Sequence, residues 1–126
     1  LLSLLGTMSN LSEVDGAAKW RQDSLRSLTD FIQEKIYRMQ HPKDCKKAKI
    51  LICELDKPCG FGCQMHHIAF CLMTAFGLQR TMVFHEDGYT WRYSPKGWLG
   101  TFLPITQCKY NDVIEVDIIC IVCEIP

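Results

Sequence analysis

A chain of 126 residues suffices for one domain, and a domain of this size buries roughly two thirds of the surface its unfolded chain exposes. Its 14 basic and 14 acidic side chains cancel, with no run of like charge longer than Lys46-Lys47, so the electrostatic footprint of a nucleic-acid-binding protein is missing. Eight cysteines in so short a chain point to an oxidising compartment or to metal binding. In chain order, Leu1-Leu2-Ser3-Leu4-Leu5 is too short for a signal-peptide core, and no apolar stretch nears the roughly 20 residues that span a bilayer. The chain opens on Leu1 without an initiator methionine, which suits an incomplete N-terminus; if the protein is luminal, its anchor is expected to lie outside these residues.

Residues 15–40 carry a helical pattern: Leu25, Leu28, Ile32, Ile36 and Met39 recur at three- and four-residue steps, and Trp20 extends the stripe by a turn. Ser12 or Asp15 suits the cap and His41-Pro42 the stop. The pattern is that of a packing helix. Ile50-Leu51-Ile52-Cys53, bounded by charged residues, reads as a buried strand. A turn over Asp56 to Cys63 follows. Ile68, Cys71, Leu72, Ala75 and Phe76 then fit one face of a helix from Gln64 to Phe76, with Gly77 as its stop. Thr81 to Phe84 reads as a second strand. Strand, helix and strand within this length make a βαβ unit with parallel strands, and the fold class is α/β.

Glu86-Asp87-Gly88-Tyr89 suits a loop apex, and the aromatic segments Trp91 to Tyr93 and Trp98 to Phe102 suit either a pocket lining or a core edge. From Asp112 to Pro126 the chain is strongly β-prone and requires a sheet partner. Cys120 and Cys123 there fall on opposite faces of a strand, which argues against a redox pair.

Between Cys45 and Cys71 lie five cysteines around a glycine-bearing turn that separates strand from helix. Such a turn presents backbone N–H groups and the positive end of a helix dipole, which suits a phosphate. Zinc is the poorer reading of Cys59, Cys63, His66 and His67, which crowd together where structural zinc sites space their ligand pairs widely. Disulfides fit better. Cys59 and Cys63 suit a tight ring around Gly60-Phe61-Gly62, with the glycines free to take left-handed or strained dihedrals. Cys53 and Cys71 suit a strand-to-helix tie, and Cys45 suits a long-range bond to Cys108, although six cysteines allow fifteen pairings. His66 and His67 suit structural hydrogen bonding, and Arg80 suits a cap or an ion pair.

The segments D-G-A-A-K-W (Asp15 to Trp20), H-P-K-D-C (His41 to Cys45), C-G-F-G-C-Q-M-H-H (Cys59 to His67), F-G-L-Q-R-T (Phe76 to Thr81) and W-R-Y followed by G-W resemble the core α-1,6-fucosyltransferases of N-glycans, glycosyltransferase family 23. The likeness runs in order over about residues 12–108 and fades beyond Cys108. It implies disulfides Cys45–Cys108, Cys53–Cys71 and Cys59–Cys63. It implies an incomplete GT-B-like domain: a helical stem over 1–40, a partial catalytic region with a Rossmann-like βαβ unit over 41–108, and a divergent tail over 109–126.

The activity implied is a metal-independent, inverting transfer of fucose from GDP-fucose to the 6-hydroxyl of the innermost N-acetylglucosamine, in the Golgi lumen. The complete enzyme is implied to be a type II membrane protein. Carried over by position, Gly60, Gly62, Cys63 and Tyr93 meet the donor and Lys57 borders the acceptor glycan. The family's H-V-R-R-T-D-K motif and its catalytic carboxylate have no counterpart in the 126 residues, so no catalytic residue is assigned and the chain alone is expected to be inactive. The alternative is a noncatalytic, disulfide-stabilised luminal interaction protein. In either case the N-terminal helix suits pairing, as a homodimer or with full-length enzyme.

Overall fold

A computed structural model of the chain describes residues 6–8, 10–11, 16–113 and 118–121. They belong to two compact units, Leu1–Lys35 and Ile36–Pro126. The first is dominated by helix α1, Ala17–Gln40, whose last turn enters the second. Along α1 the periodic stripe is present, yet Trp20, Leu25, Leu28 and Phe31 are all more than half exposed. Among the described residues this apolar stripe has no cover over these positions.

The second unit is built on a parallel sheet of three strands, β1 (Ile50–Cys53), β2 (Thr81–Phe84) and β3 (Ile118–Ile121), in the order β2-β1-β3. Ile50 stands opposite Thr81 on one side and Ile118 on the other. Central position explains the sequence of β1: both its faces are covered, so all four residues are apolar and all are buried. Alternation sends Leu51 and Cys53, with Met82 and Phe84, to one face. There they pack with Ile68, Cys71 and Ala75 of helix α2, Phe61–Gly77, and with Trp91 and Trp98. Ile50, Ile52 and Val83 face the other way, against Cys108 and Val113. Val113 ends a short helix, α3 (Tyr110–Val113), at the start of the stretch that sequence alone reads as strand. The β-prone stretch finds its sheet partner in β1 through β3; residues 114–117 and Cys123 lie outside the described residues.

One disulfide reinforces each face. Cys53–Cys71 ties β1 to α2 with Cα atoms 6.0 Å apart, and Cys45–Cys108 spans 63 residues against the opposite cluster, Cα atoms 5.5 Å apart. The aromatic segments after β2 form part of the core. Trp91 and Trp98 are 1% and 6% exposed, and Trp98 stacks on Phe102 and donates its indole N–H to the Leu103 carbonyl. This loop folds back because Glu86, Asp87 and Gly88 take left-handed dihedrals in succession. Gly97 then lies so close to Gly88 that an added Cβ meets the Gly88 carbonyl oxygen at 2.7 Å.

The outer edge of β2 is met by the end of α1. Gln40, 3% exposed, accepts the Met82 N–H through Oε1 at 2.9 Å, while the Thr81 hydroxyl donates to the Met39 carbonyl at 2.7 Å. Arg80, just before β2, donates a guanidinium N–H to the Ile50 carbonyl of β1 at 3.1 Å.

Candidate functional site

The turn between β1 and α2 leaves the carboxyl end of the central strand. From β1 the chain crosses to β2 on one side and then to β3 on the other, so the crossing direction reverses at β1. Open parallel sheets bind ligands outside the carboxyl ends of their strands, at such a reversal.

Helix α2 starts at Phe61, within the glycine turn and three residues earlier than its apolar periodicity indicates. Its cap residue is Gly60, which has no side chain to offer, and its first backbone hydrogen bond runs from Gln64 N to Gly60 O at 3.0 Å. The N–H groups of Phe61, Gly62 and Cys63 therefore lie ahead of the helical ladder, at the positive end of the helix dipole. The Cys59–Cys63 disulfide closes across them with Cα atoms 5.9 Å apart.

The two glycines differ from expectation. Gly60 has φ −67°, and Gly62 is absent from the left-handed positions, so the ring does not demand glycine dihedrals. A Cβ at either position meets nothing within 4 Å among the described residues. Glycine in a helix costs roughly 0.5–1 kcal/mol relative to alanine, and neither backbone conformation nor internal packing requires it here. What its absence of a side chain leaves is open space over the bare amides.

Behind the turn, donors converge on its carbonyl oxygens. His67 Nε2 lies 2.9 Å from the Glu54 carbonyl, so this nitrogen carries the proton; it also lies 3.7 Å from each sulfur of the Cys53–Cys71 bond. Cys53, His67 and Cys71 are spaced as metal ligands are, but with both sulfurs in a disulfide the trio offers no thiolate. His66 is exposed. Tyr93, on the surface, donates its hydroxyl to the Cys59 carbonyl at 3.2 Å and packs edge-on against Phe61, ring centroids 5.2 Å apart. Lys57 is half-buried; its carbonyl accepts the Cys59 N–H at 2.8 Å and the Gln64 side-chain amide at 2.8 Å.

The turn thus brings Lys57, Gly60, Gly62, Cys63 and Tyr93 together, and a cavity of about 430 Å³ opens elsewhere, beyond β2, between Asp87, Tyr89 and Ile105. Sequence reasoning passed over Gln64, a polar residue on an otherwise apolar helix face. The only signal for it was that incongruity.

The parallel sheet, the disulfide-braced faces and the helix start without a side-chain cap after the central strand define a disulfide-stabilised α/β protein. Residues 1–119 match the family model described as alpha-(1,6)-fucosyltransferase N- and catalytic domains, and the chain belongs to that transferase family. The match continues past Cys108, where the sequence likeness was read as fading, and takes in the start of β3. An alpha-(1,6)-fucosyltransferase of Caenorhabditis elegans is 40% identical over 114 residues, covering 90% of this chain and 20% of that protein. One of Drosophila melanogaster is 38% identical over 109 residues, covering 86% of this chain and 17% of that protein. The chain spans about a fifth of the length of these relatives. No helix among the described residues is long and apolar enough to cross a membrane.

Proposed function

We propose that these residues form the donor-side portion of a secretory-pathway glycosyltransferase that moves fucose from GDP-fucose to the 6-hydroxyl of the innermost N-acetylglucosamine of N-glycans, with the Golgi lumen as its compartment. In this reading the βαβ unit is Rossmann-like and belongs to a GT-B-type domain, with 41–108 as its catalytic portion. The amides of Phe61, Gly62 and Cys63 hold the donor pyrophosphate, Tyr93 flanks the GDP, and Lys57 borders the acceptor.

The observation that carries the reading is the pair Gly60 and Gly62, which neither dihedral strain nor packing explains and which keep the amides at the helix start accessible. Amides and a helix dipole meet a pyrophosphate's charge without a side chain, which is compatible with a transfer that uses no metal. Three disulfides fit an oxidising lumen.

The chemical step itself is an inverting displacement in which the acceptor oxygen attacks the fucose anomeric carbon and GDP departs. It needs a base for the acceptor hydroxyl and cations for the leaving GDP. Without an arginine-pair motif, the chain alone orients the pyrophosphate and does not complete the step. Titration with GDP, followed by backbone amide NMR, is expected to shift Phe61, Gly62 and Cys63 at millimolar ligand, with no fucose transfer by the isolated chain. GDP shifts confined to other residues would remove the assignment, and measurable transfer would refute the requirement for the arginines.

A second reading, an interaction protein of the same family that does not catalyse, is favoured by the exposed apolar stripe of α1, which suits a homodimer or pairing with a longer family member. Sedimentation equilibrium tests the self-pairing: a monomer at tens of micromolar removes that role.

A further inference from the structure

Gln64 is 1% exposed in the first turn of α2. Its Oε1 is buried without a donor among the described residues, an unfavourable arrangement that a methionine or leucine of similar shape would avoid. Packing therefore does not account for an amide here. The Nε2 group does: it donates to the Lys57 carbonyl at 2.8 Å, while the backbone N–H of the same residue donates to the Gly60 carbonyl at 3.0 Å. A single residue thus grips the turn at two points, three residues apart, one on each side of Cys59.

The rest of the turn is held in the same sense. The His67 imidazole takes the Glu54 carbonyl, and the Tyr93 hydroxyl takes the Cys59 carbonyl. These donors come from α2 and from the loop after β2, and each ends on a carbonyl. The groups they leave untouched are the N–H groups at the start of α2. Tyr93 reaches the turn from a surface position and His67 also contacts the disulfide, whereas Gln64 alone joins the Lys57 peptide to the first helical hydrogen bond.

We infer that Gln64 is a positioning residue: its side-chain amide sets the register between Lys57 and the bare amides of Phe61 to Cys63, so that an acceptor-side cation and a donor-side anion cradle are fixed relative to each other. The geometry stands on its own; its consequence for catalysis rests on the donor-turn reading above. It also explains why the turn needs no regular structure between β1 and α2. Its shape is imposed from behind by side-chain donors.

The test uses the whole chain with its disulfides intact and two substitutions that preserve volume. In Gln64→Met the donor is lost. Hydrogen exchange of the backbone N–H at position 64 is expected to accelerate about tenfold, the Cys59 to Cys63 resonances to move, those of β1 and β2 to stay, and GDP affinity to fall about tenfold. Gln64→Glu places an acceptor against the Lys57 carbonyl at pH 7.5 and a donor once it is protonated, and burial raises the pH at which that happens. Relative to wild type at the same pH, its turn resonances and GDP response are expected to recover between pH 7.5 and pH 5, whereas Gln64→Met, equally buried but without a donor, recovers at neither pH.

A folded Gln64→Met with unchanged turn amides and unchanged GDP response overturns the inference. So does a Gln64→Glu whose turn shows no pH dependence, which also decides the matter should Gln64→Met fail to fold. A wild-type chain that shows no GDP response at all removes the donor-turn reading, and amide exchange in the variants then still decides the role of Gln64.

Discussion

Helix α1 and strand β1 carry the same kind of residue in opposite circumstances. Leu51 is fully enclosed by α2 and the neighbouring strands, whereas Leu28 on the apolar stripe of α1 is 52% exposed. Both stretches are patterned correctly for their secondary structure. The difference lies in the partner: β1 obtains two strands, two disulfide-braced faces and an aromatic loop from its own unit, while the stripe of α1 shows no comparable cover. Periodicity fixes which side of an element is apolar; it says nothing of what lies against that side.

The contrast predicts a graded set of losses. Replacing Cys45 and Cys108 together by serine releases a 63-residue closure, and the chain-entropy estimate for a loop of that size is about 4 kcal/mol. Urea unfolding monitored by Trp91 and Trp98 fluorescence checks this. Leu51→Ala is expected to cost about 3 kcal/mol through the cavity it leaves, read from the same transition. A cost below about 1 kcal/mol there would mean that the enclosed face relaxes freely, contrary to close packing.

Removing Cys59 and Cys63 as serines is expected to cost only about 2 kcal/mol, because the ring is short. Its sulfurs are also the accessible ones, since Cys63 is exposed while Cys53 and Cys71 are fully buried. Mild thiol treatment followed by alkylation and mass spectrometry should therefore label Cys59 and Cys63 first. Labelling of Cys53 before them would reverse the ordering of the two regions. The smallest effect is expected for Leu28→Ala, under about 0.5 kcal/mol in dilute protein. A loss that grows with protein concentration would show the stripe covered by a second chain, and would erase the contrast.

The same distinction marks how much was legible in advance. The βαβ unit could be read because Ile50 to Cys53 and Thr81 to Phe84 are continuous apolar runs and the residues between them have one helical face. The disulfide pairing came from resemblance, since spacing alone left fifteen arrangements. The early start of α2 was hidden by Gly60 and Gly62, whose propensities favour a turn; helical geometry prevails at Phe61 because the chain is already committed by the ladder beginning at Gln64. The burial of Trp91 and Trp98 could not be seen because their neighbours Arg92, Lys96 and Gly97 read as surface, and the enclosure comes from the left-handed reversal after β2. Gln64 and Gln40 were obscure for a common reason: each is a buried amide whose partner is a backbone group distant in the logic of periodicity.

Gln40 has an effect beyond its own hydrogen bond. An outer strand with a vacant amide is a template on which a foreign strand can add. By occupying the Met82 N–H with the last side chain of α1, the protein closes that template at its centre, and the Thr81 hydroxyl fastens the closing helix end in place. A glutamine at the end of a helix thereby acts as a guard against strand addition at this point of β2.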